Sequence, residues 1–234
     1  MANKTPVSPW PLVMLIALAA LTGAAQAQVA PRAEEVARYT GLHAAVHRGD
    51  STEVQKLLSE GASVNACDDF GRTAVHIAAH ARQRDALRAL ARAGANLELL
   101  ENDRYDAVTI AAVADDEGTL RLLLALGASA KLTTSRYDGT ALIAAAHLGH
   151  EGVVGQLIAA GAPLNHVNNL HWTALIEAIV LGNGGIRHQQ VVRALLAAGA
   201  STRLTDREGN TPLALAKARG YSVMISLLEQ AGAQ

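Results

Sequence analysis

Histidine is the residue type in this chain with the widest range of possible chemistry, since nine histidines occur among 234 residues. Neutral imidazole is a common zinc ligand, and two histidines at positions i and i+4 of one helix can share an ion. His43 and His47 have this spacing, but no glutamate lies between them and no third ligand is evident. We therefore predict no metal site and no cofactor.

The sequence also lacks the motifs of a catalytic centre. Serine, histidine and acidic residues are present, but none lies in a nucleophile-elbow motif, and no phosphate-binding glycine loop occurs. The single cysteine, Cys67, cannot form an intramolecular disulfide and is interpreted as a small loop residue. We therefore predict that the protein is not an enzyme.

Gly-Ala dipeptides divide the chain into units of nearly constant length. Their glycines are spaced by 33, 33, 34, 38 and 33 residues. This period is typical of an array whose units stack to bury a shared core, leaving an open surface for recognition. The glycines are Gly61, Gly94, Gly127, Gly161, Gly199 and Gly232.

Each unit is predicted to contain a loop, a helix, a turn and a second helix. A threonine or aspartate precedes each apolar stretch at the helix N-cap. In the second unit the predicted helices are 74–81 and 84–92, and Gly94 ends the second one in a left-handed conformation. The cap positions are Thr40, Thr73, Asp106, Thr140, Thr173 and Thr211.

Residues 71–79 (GRTAVHIAA) and 209–213 (GNTPL) resemble the Gly-x-Thr-Pro-Leu-His-x-Ala-Ala pattern of the ankyrin-repeat family, and Gly149-His150 resembles its inter-helix turn. The resemblance spans residues 39–233. It implies an all-α repeat solenoid of six ankyrin repeats, elongated and with a concave groove. The implied repeats are 39–70, 71–103, 104–136, 137–169, 170–207 and 208–233.

Two units depart from this pattern. The third has Asp106 in place of the threonine cap and Asp115-Asp116-Glu117 at the inter-helix turn. The fifth has five extra residues near Asn183. This insertion is either a finger that contacts a partner or a neutral addition at the solvent edge.

The resemblance implies that a partner protein binds the concave groove and the adjacent loop edge. The residue before each N-cap lies on this edge and is aromatic in three of the six units. Aromatic residues and arginine dominate interface energetics, but family members also pack such residues across adjacent loops, so both interpretations stay open. The predicted partner-binding residues are Tyr39, Arg48, Arg72, His80, Tyr105, Tyr137, Asp138, His147, Trp172, Glu177, Leu181 and Asn210.

The histidines fall into two groups in this register. His43 and His76 occupy the family's histidine position, which implies a structural role. His47, His80 and His147 share a position that faces the groove, where they form a row rather than a cluster.

Charge is nearly balanced, with 20 lysines and arginines against 21 acidic residues. This balance argues against nucleic-acid binding. Four arginines between Arg82 and Arg92 precede an acidic third unit, and the two patches either pair across the stack or steer a dipolar partner. We expect a monomer.

The first residues have the pattern of an export signal. Lys4 precedes an apolar run over 12–21, and small residues follow, which predicts cleavage between Ala27 and Gln28. The run is shorter than the roughly 20 residues of a membrane-spanning helix. We expect a signal peptide over 1–27, a linker over 28–38, and a mature protein that is free of the membrane in a bacterial periplasm, or secreted.

These observations predict a non-enzymatic protein-interaction module that acts in the periplasm. The alternative comes from the resemblance to exported bacterial ankyrin proteins. It is an oxidative-stress factor that supports a periplasmic catalase, by metal or haem handling.

Overall fold

Pairs of antiparallel helices recur along the chain in the computed structural model, which describes residues 30–233. The expected signal peptide and its cleavage site at Ala27 and Gln28 lie outside the described residues. The first helices of the six pairs, called the inner helices, are Gly41–Arg48, Ala74–His80, Ala107–Val113, Ala141–Leu148, Ala174–Val180 and Pro212–Ala218. The second helices, called the outer helices, are Ser51–Ser59, Arg84–Arg92, Glu117–Ala125, Glu151–Ala159, Ile186–Ala197 and Ser222–Gln230.

The two sets of helices form two layers of an all-helical solenoid. Each inner helix packs against the inner helices of its neighbours and against its own outer helix. The core between the layers consists mainly of alanine, leucine, valine and isoleucine, with fully buried Leu87, Leu120, Leu157 and Leu195 on the outer helices. The predicted repeat solenoid of six helix pairs is confirmed.

Side-chain groups cap five of the six inner helices, whereas Thr40 stands at the N-cap of the first without a side-chain cap bond. Asp106 accepts a hydrogen bond from the backbone N–H of Thr109 at 2.9 Å, and Thr140, Thr173 and Thr211 cap their helices in the same way. Thr73 shares a capping box with His76. The threonine spacing therefore located the helix starts from sequence.

A short helix, Ala33–Val36, precedes the first pair and lies within the expected linker. Its Glu35 is only 6% exposed and forms an ion pair with Arg72, with 2.9 Å between the guanidinium nitrogen and the carboxylate oxygen. Arg72 is itself 5% exposed and also contacts Asp68 at 2.8 Å. This segment is thus packed against the first two repeats.

The insertion of the fifth unit folds back onto the stack. Arg187 donates to the carbonyl of Gly149 at 3.1 Å and pairs with Asp115 at 2.8 Å, which links the fifth unit to the fourth and third. On the other side, the Tyr221 hydroxyl donates to the carbonyl of Gly182 at 3.0 Å. A Cβ on Gly184 would lie 2.6 Å from the Tyr221 ring, so this close packing requires glycine. The insertion therefore braces four successive units.

Two further features complete the fold within residues 30–233. Extended pairing is limited to isolated bridges between Cys67 and Thr73 and between Thr134 and Gly139. No helix in this part of the chain is long and apolar enough to cross a bilayer.

Candidate partner-binding groove

The inner helices expose a largely uncharged floor on the side that faces away from the outer layer. The four inner helices from Ala74–His80 to Ala174–Val180 are fully described, and none of them exposes a charged side chain other than histidine. Leu148 is 38% exposed, and Leu181 is partly exposed at the equivalent position of the next unit. The middle of the groove is therefore apolar.

The histidines of the second unit keep this floor neutral. Burial, together with the electrostatic influence of His76 and Arg72, lowers the pKa of His80 to about 4, so His80 is uncharged at neutral pH. His76 accepts a bond from the Thr73 backbone N–H at 3.0 Å, and its Nε2 lies 3.1 Å from the Tyr105 carbonyl. The structural role inferred for His76 matches these contacts.

The loops along the groove edge share a recurring acceptor that the sequence analysis missed. From the second unit onward, one side chain five residues before each cap accepts bonds from the backbone N–H groups two and four residues ahead. Asp206, for example, accepts from Glu208 at 3.1 Å and from Asn210 at 2.8 Å. The acceptors are Asp68, Glu101, Ser135, Asn168 and Asp206. Their spacing from the caps was visible in the sequence.

Charges at the loop tips pair between successive repeats. Arg136 contacts Asp103 at 2.8 Å, and Arg104 contacts Asp138 at 3.1 Å. On the far side of the stack, Arg84 pairs with Asp116 at 2.7 Å. Of the predicted basic patch, Arg82 and Arg84 thus pair with Asp116 of the acidic third unit.

Several predicted partner-binding residues have side chains that are buried or hydrogen-bonded within the protein. Arg72, Tyr105 and Glu177 are buried, so their side chains offer little surface to a partner. Tyr39 contacts Asp68 and stacks near His43 and His47, and burial raises the pKa of its hydroxyl to about 12. The amide of Asn210 is bonded to Asp206.

Others are available at the groove. Arg48 is exposed at the first unit, and His80, His147 and Leu181 are partly exposed along the floor. Tyr137 and Trp172 are partly exposed at the loop edge, and Trp172 also packs on the core. These side chains are thus accessible in the structure, and their contact with a partner stays a prediction.

A polar cluster lies between the fourth and fifth units. Glu177 is 5% exposed, accepts from the Asn168 amide at 3.1 Å, and lies 3.3 Å from Nδ1 of His147. The sequence analysis singled out Glu177 and His147 but not Asn168. Because Asn168 belongs to the loop and not to either helix, the helical periodicity gave no sign of it.

No group of three or more potential metal ligands comes together within residues 30–233. Cys67 is exposed and its thiol contacts the Asn65 carbonyl at 3.6 Å.

An open groove on stacked helix pairs, with a neutral floor and loops along one edge, defines a helical-repeat protein of the recognition type. The ankyrin-repeat family model matches residues 42–134 and 108–202, which together span more than half of the chain. The chain belongs to the ankyrin-repeat family.

Individual relatives agree with this assignment. The chain is 45% identical over 100 residues to the putative ankyrin repeat protein YahD of Escherichia coli, covering 42% of this chain and 50% of that one. It is 40% identical over 78 residues to rat NF-kappa-B inhibitor alpha, covering 33% of this chain and 23% of the inhibitor. The matches thus span half or less of these relatives' length.

A solved structure covers more of the chain. The ankyrin repeat domain ABAYE2397 of Acinetobacter baumannii is 44% identical, with a TM-score of 0.79. The match covers 82% of this chain and 98% of that domain. Ankyrin folds are typically interaction scaffolds rather than enzymes, and their partners are proteins.

Proposed function

We propose that this protein is a non-enzymatic interaction module that holds a partner protein in its concave groove in the periplasm. The observation that carries the proposal is the neutral, partly apolar floor of the groove, with Leu148 exposed at its centre. Exposed apolar surface rimmed by polar groups marks interaction sites. The name of NF-kappa-B inhibitor alpha, a relative over part of this chain, is consistent with binding a protein.

The partner segment is expected to be largely uncharged. Loop-tip charges such as Asp103 and Asp138 are already paired with arginines of neighbouring repeats. A charged partner would have to compete with these pairs and would meet no counter-charge on the central floor. An apolar segment can bury its surface against the floor without breaking these ion pairs.

Partner capture tests the proposal. The groove variant is the mature protein with both Leu148→Asp and Leu181→Asp. It is used to recover proteins from periplasmic extract, in parallel with the wild type and the outer-face variant Val223→Asp. We expect the groove variant to lose a specific partner that the wild type and Val223→Asp both retain, because charges on the floor disfavour apolar burial. Equal recovery by all three proteins would reject the groove as the binding surface.

The proposed location has its own test. Cleavage after Ala27 predicts a mature protein that begins at Gln28 and is released by osmotic shock. Intact-mass measurement of the released protein checks this. Replacement of Ala25 and Ala27 by lysine is expected to leave the precursor uncleaved, whereas cytoplasmic recovery of uncleaved wild type would contradict periplasmic action.

A further inference from the structure

Glu177 stands where every other unit has a small or apolar residue. It lies four residues after the N-cap, and it is buried. Burying a carboxylate is costly unless hydrogen bonds or an opposite charge compensate it. The residues at this position in the other units are Ala44, Ile77, Ile110, Ala144 and Leu215.

Asn168 departs from the pattern together with Glu177. Its Oδ1 accepts from the backbone N–H groups of Leu170 at 3.0 Å and Trp172 at 2.9 Å, as Asp206 does in its own loop. Its Nδ2 donates to Glu177 Oε1 at 3.1 Å. An aspartate at position 168 would also accept the two backbone hydrogen bonds, but it would repel the carboxylate of Glu177. Asparagine accepts the backbone bonds through its oxygen and donates to Glu177 through its nitrogen.

This paired carboxylate acts on His147. Oε2 of Glu177 lies 3.3 Å from Nδ1 of His147. A carboxylate beside Nδ1 favours the tautomer with the proton on that nitrogen, which leaves the lone pair on Nε2. Nε2 has no hydrogen-bonding partner among residues 30–233, and the side chain is 32% exposed.

The backbone of His147 is also held in place. Its carbonyl accepts from Nε2 of His188 at 2.9 Å, at the N-terminal end of the extended outer helix of the fifth unit. Both the ring and the main chain of His147 therefore contact the fifth unit. The result is one preorganised acceptor beside the exposed Leu148.

We propose that Nε2 of His147 accepts a hydrogen bond from a single N–H or O–H donor carried by an otherwise apolar segment of the partner protein. This inference rests on the proposed function and specifies the chemistry of the partner. The central floor, from Ala74–His80 to Ala174–Val180, offers apolar contact near Leu148 and Leu181 and exposes no lysine, arginine or carboxylate for a charged partner to pair with. One donor on an apolar segment complements that surface.

His80 provides a control within the same molecule. It occupies the equivalent position of the second unit, but the residue of the next unit that corresponds to Glu177 is Ile110. His80 thus lacks the carboxylate that orients His147. We expect the two rings to respond differently to the same ligand.

A pair of small probes tests the acceptor without knowledge of the partner. Indole is apolar with one N–H donor, whereas N-methylindole has nearly the same shape and no donor. Histidine-labelled mature protein is titrated with each at neutral pH and followed by 15N NMR. We expect indole to shift the Nε2 resonance of His147 but not that of His80, and N-methylindole to bind about tenfold more weakly, as expected for one lost hydrogen bond.

A variant tests the role of the carboxylate. Glu177→Leu places at this position the residue type of the sixth unit, so the fold is expected to persist, and circular dichroism checks it. We expect loss of the Nδ1-protonated signature of His147 and about tenfold weaker indole binding. If this variant fails to fold, the indole and N-methylindole comparison on the wild type still decides the proposal.

Each outcome has a distinct meaning. Equal affinity for the two probes, no binding of indole, or a wild-type His147 that carries its proton on Nε2 would overturn the proposal. A shift of the same resonance by stoichiometric Zn²⁺ would also overturn it, in favour of a metal ligand. Loss of partner capture by the Leu148 and Leu181 variant alongside a failed indole test would reject the acceptor and leave the interaction module intact.

Discussion

At the scale of single residues, the buried charges are the least expected feature of the molecule. Burial alone would raise the pKa of Glu35, but hydrogen bonds from Arg32 and Arg72 outweigh it and hold the pKa below its ordinary value. Burial would also raise the pKa of Asp68, but hydrogen bonds from Arg72 and Phe70 outweigh it and lower the pKa. The N-terminal helix is therefore attached to the second repeat by charge as well as by packing.

Replacement of Glu35 by glutamine is expected to destabilise the protein at neutral pH. A carboxylate whose folded pKa is depressed stabilises the fold above its unfolded pKa, and this contribution is lost as pH falls through the folded pKa. We expect Glu35→Gln to lower the free energy of unfolding by about 1–3 kcal/mol at pH 7, because Arg72 loses a buried charged partner. Urea denaturation at pH 7 and pH 3 measures the difference, which should shrink at the lower pH.

Glu34 supplies the matched control for this prediction. It lies beside Glu35, but its side chain is largely exposed and pairs only with exposed Arg32. Glu34→Gln is expected to change stability by less than about 0.5 kcal/mol. Equal effects of the two variants would contradict the account of the buried pair.

The residue-scale features differ in how far sequence could predict them. The caps, such as Thr140 and Thr173, were predictable because an N-cap bond joins residues three apart. The pair between Glu35 and Arg72 was not, since it joins residues 37 apart and sequence spacing alone does not show which distant charges meet. Glu177 could have been flagged as an acid at an otherwise apolar position.

At the scale of elements, the loops along the groove are held by one repeated device. A single side-chain acceptor five residues before each cap fixes the loop that leads into each inner helix from the second unit onward. Asp206 serves the last loop and also accepts from the Asn210 side chain at 3.0 Å. The partly exposed edge of the groove is thereby kept in one conformation.

Truncation of this acceptor is expected to loosen the last loop. Asp206→Ala leaves two backbone N–H groups without their partner, which should cost about 1–2 kcal/mol in the free energy of unfolding. Asp206→Asn is the control, since Asn168 shows that an asparagine makes the same two bonds. Thermal denaturation compares the variants, and equal loss from both would show that the carboxylate charge, and not the acceptor, matters.

The insertion of the fifth unit is a second element with a structural role. Sequence left a finger and a neutral addition open, and the structure shows that the insertion also forms a brace that reaches two units back. That contact between Arg187 and Asp115 spans 72 residues, so neither the period nor the loop length could reveal it. Ile186 of this insertion is 66% exposed.

Removal of the brace is expected to weaken the middle of the stack. Arg187→Ala loses the ion pair with Asp115 and the bond to the Gly149 carbonyl, which together should cost about 1 kcal/mol. Arg193, on the same helix, makes no ion pair or side-chain hydrogen bond with the described residues, so Arg193→Ala is the control. Chemical denaturation measures the free energy of unfolding of both variants. An equal loss in Arg187→Ala and Arg193→Ala would contradict the bracing role.

At the scale of the whole molecule, the architecture follows from the period of the chain. The Gly-Ala spacing predicted a stacked array, and the cap positions and the family resemblance predicted paired helices in six units. The structure confirms them because each unit can bury its apolar face only against its neighbours. The position of the groove also followed from the family resemblance. Its chemistry followed only in part, because the scarcity of charged residues on the inner helices is visible in the sequence, whereas the burial of Glu177 and the lowered pKa of His80 appear only when the repeats are stacked.

The central claim is that the neutral concave face is the surface that binds a partner protein. Hydrogen–deuterium exchange of the captured complex, compared with the free protein, tests it most directly. The account predicts slower exchange at the groove-facing ends of the inner helices around Leu148 and Leu181 and in the loops leading to Trp172, with the outer helices unchanged. Protection confined to the outer helices, such as Arg84–Arg92 and Ser222–Gln230, would contradict it.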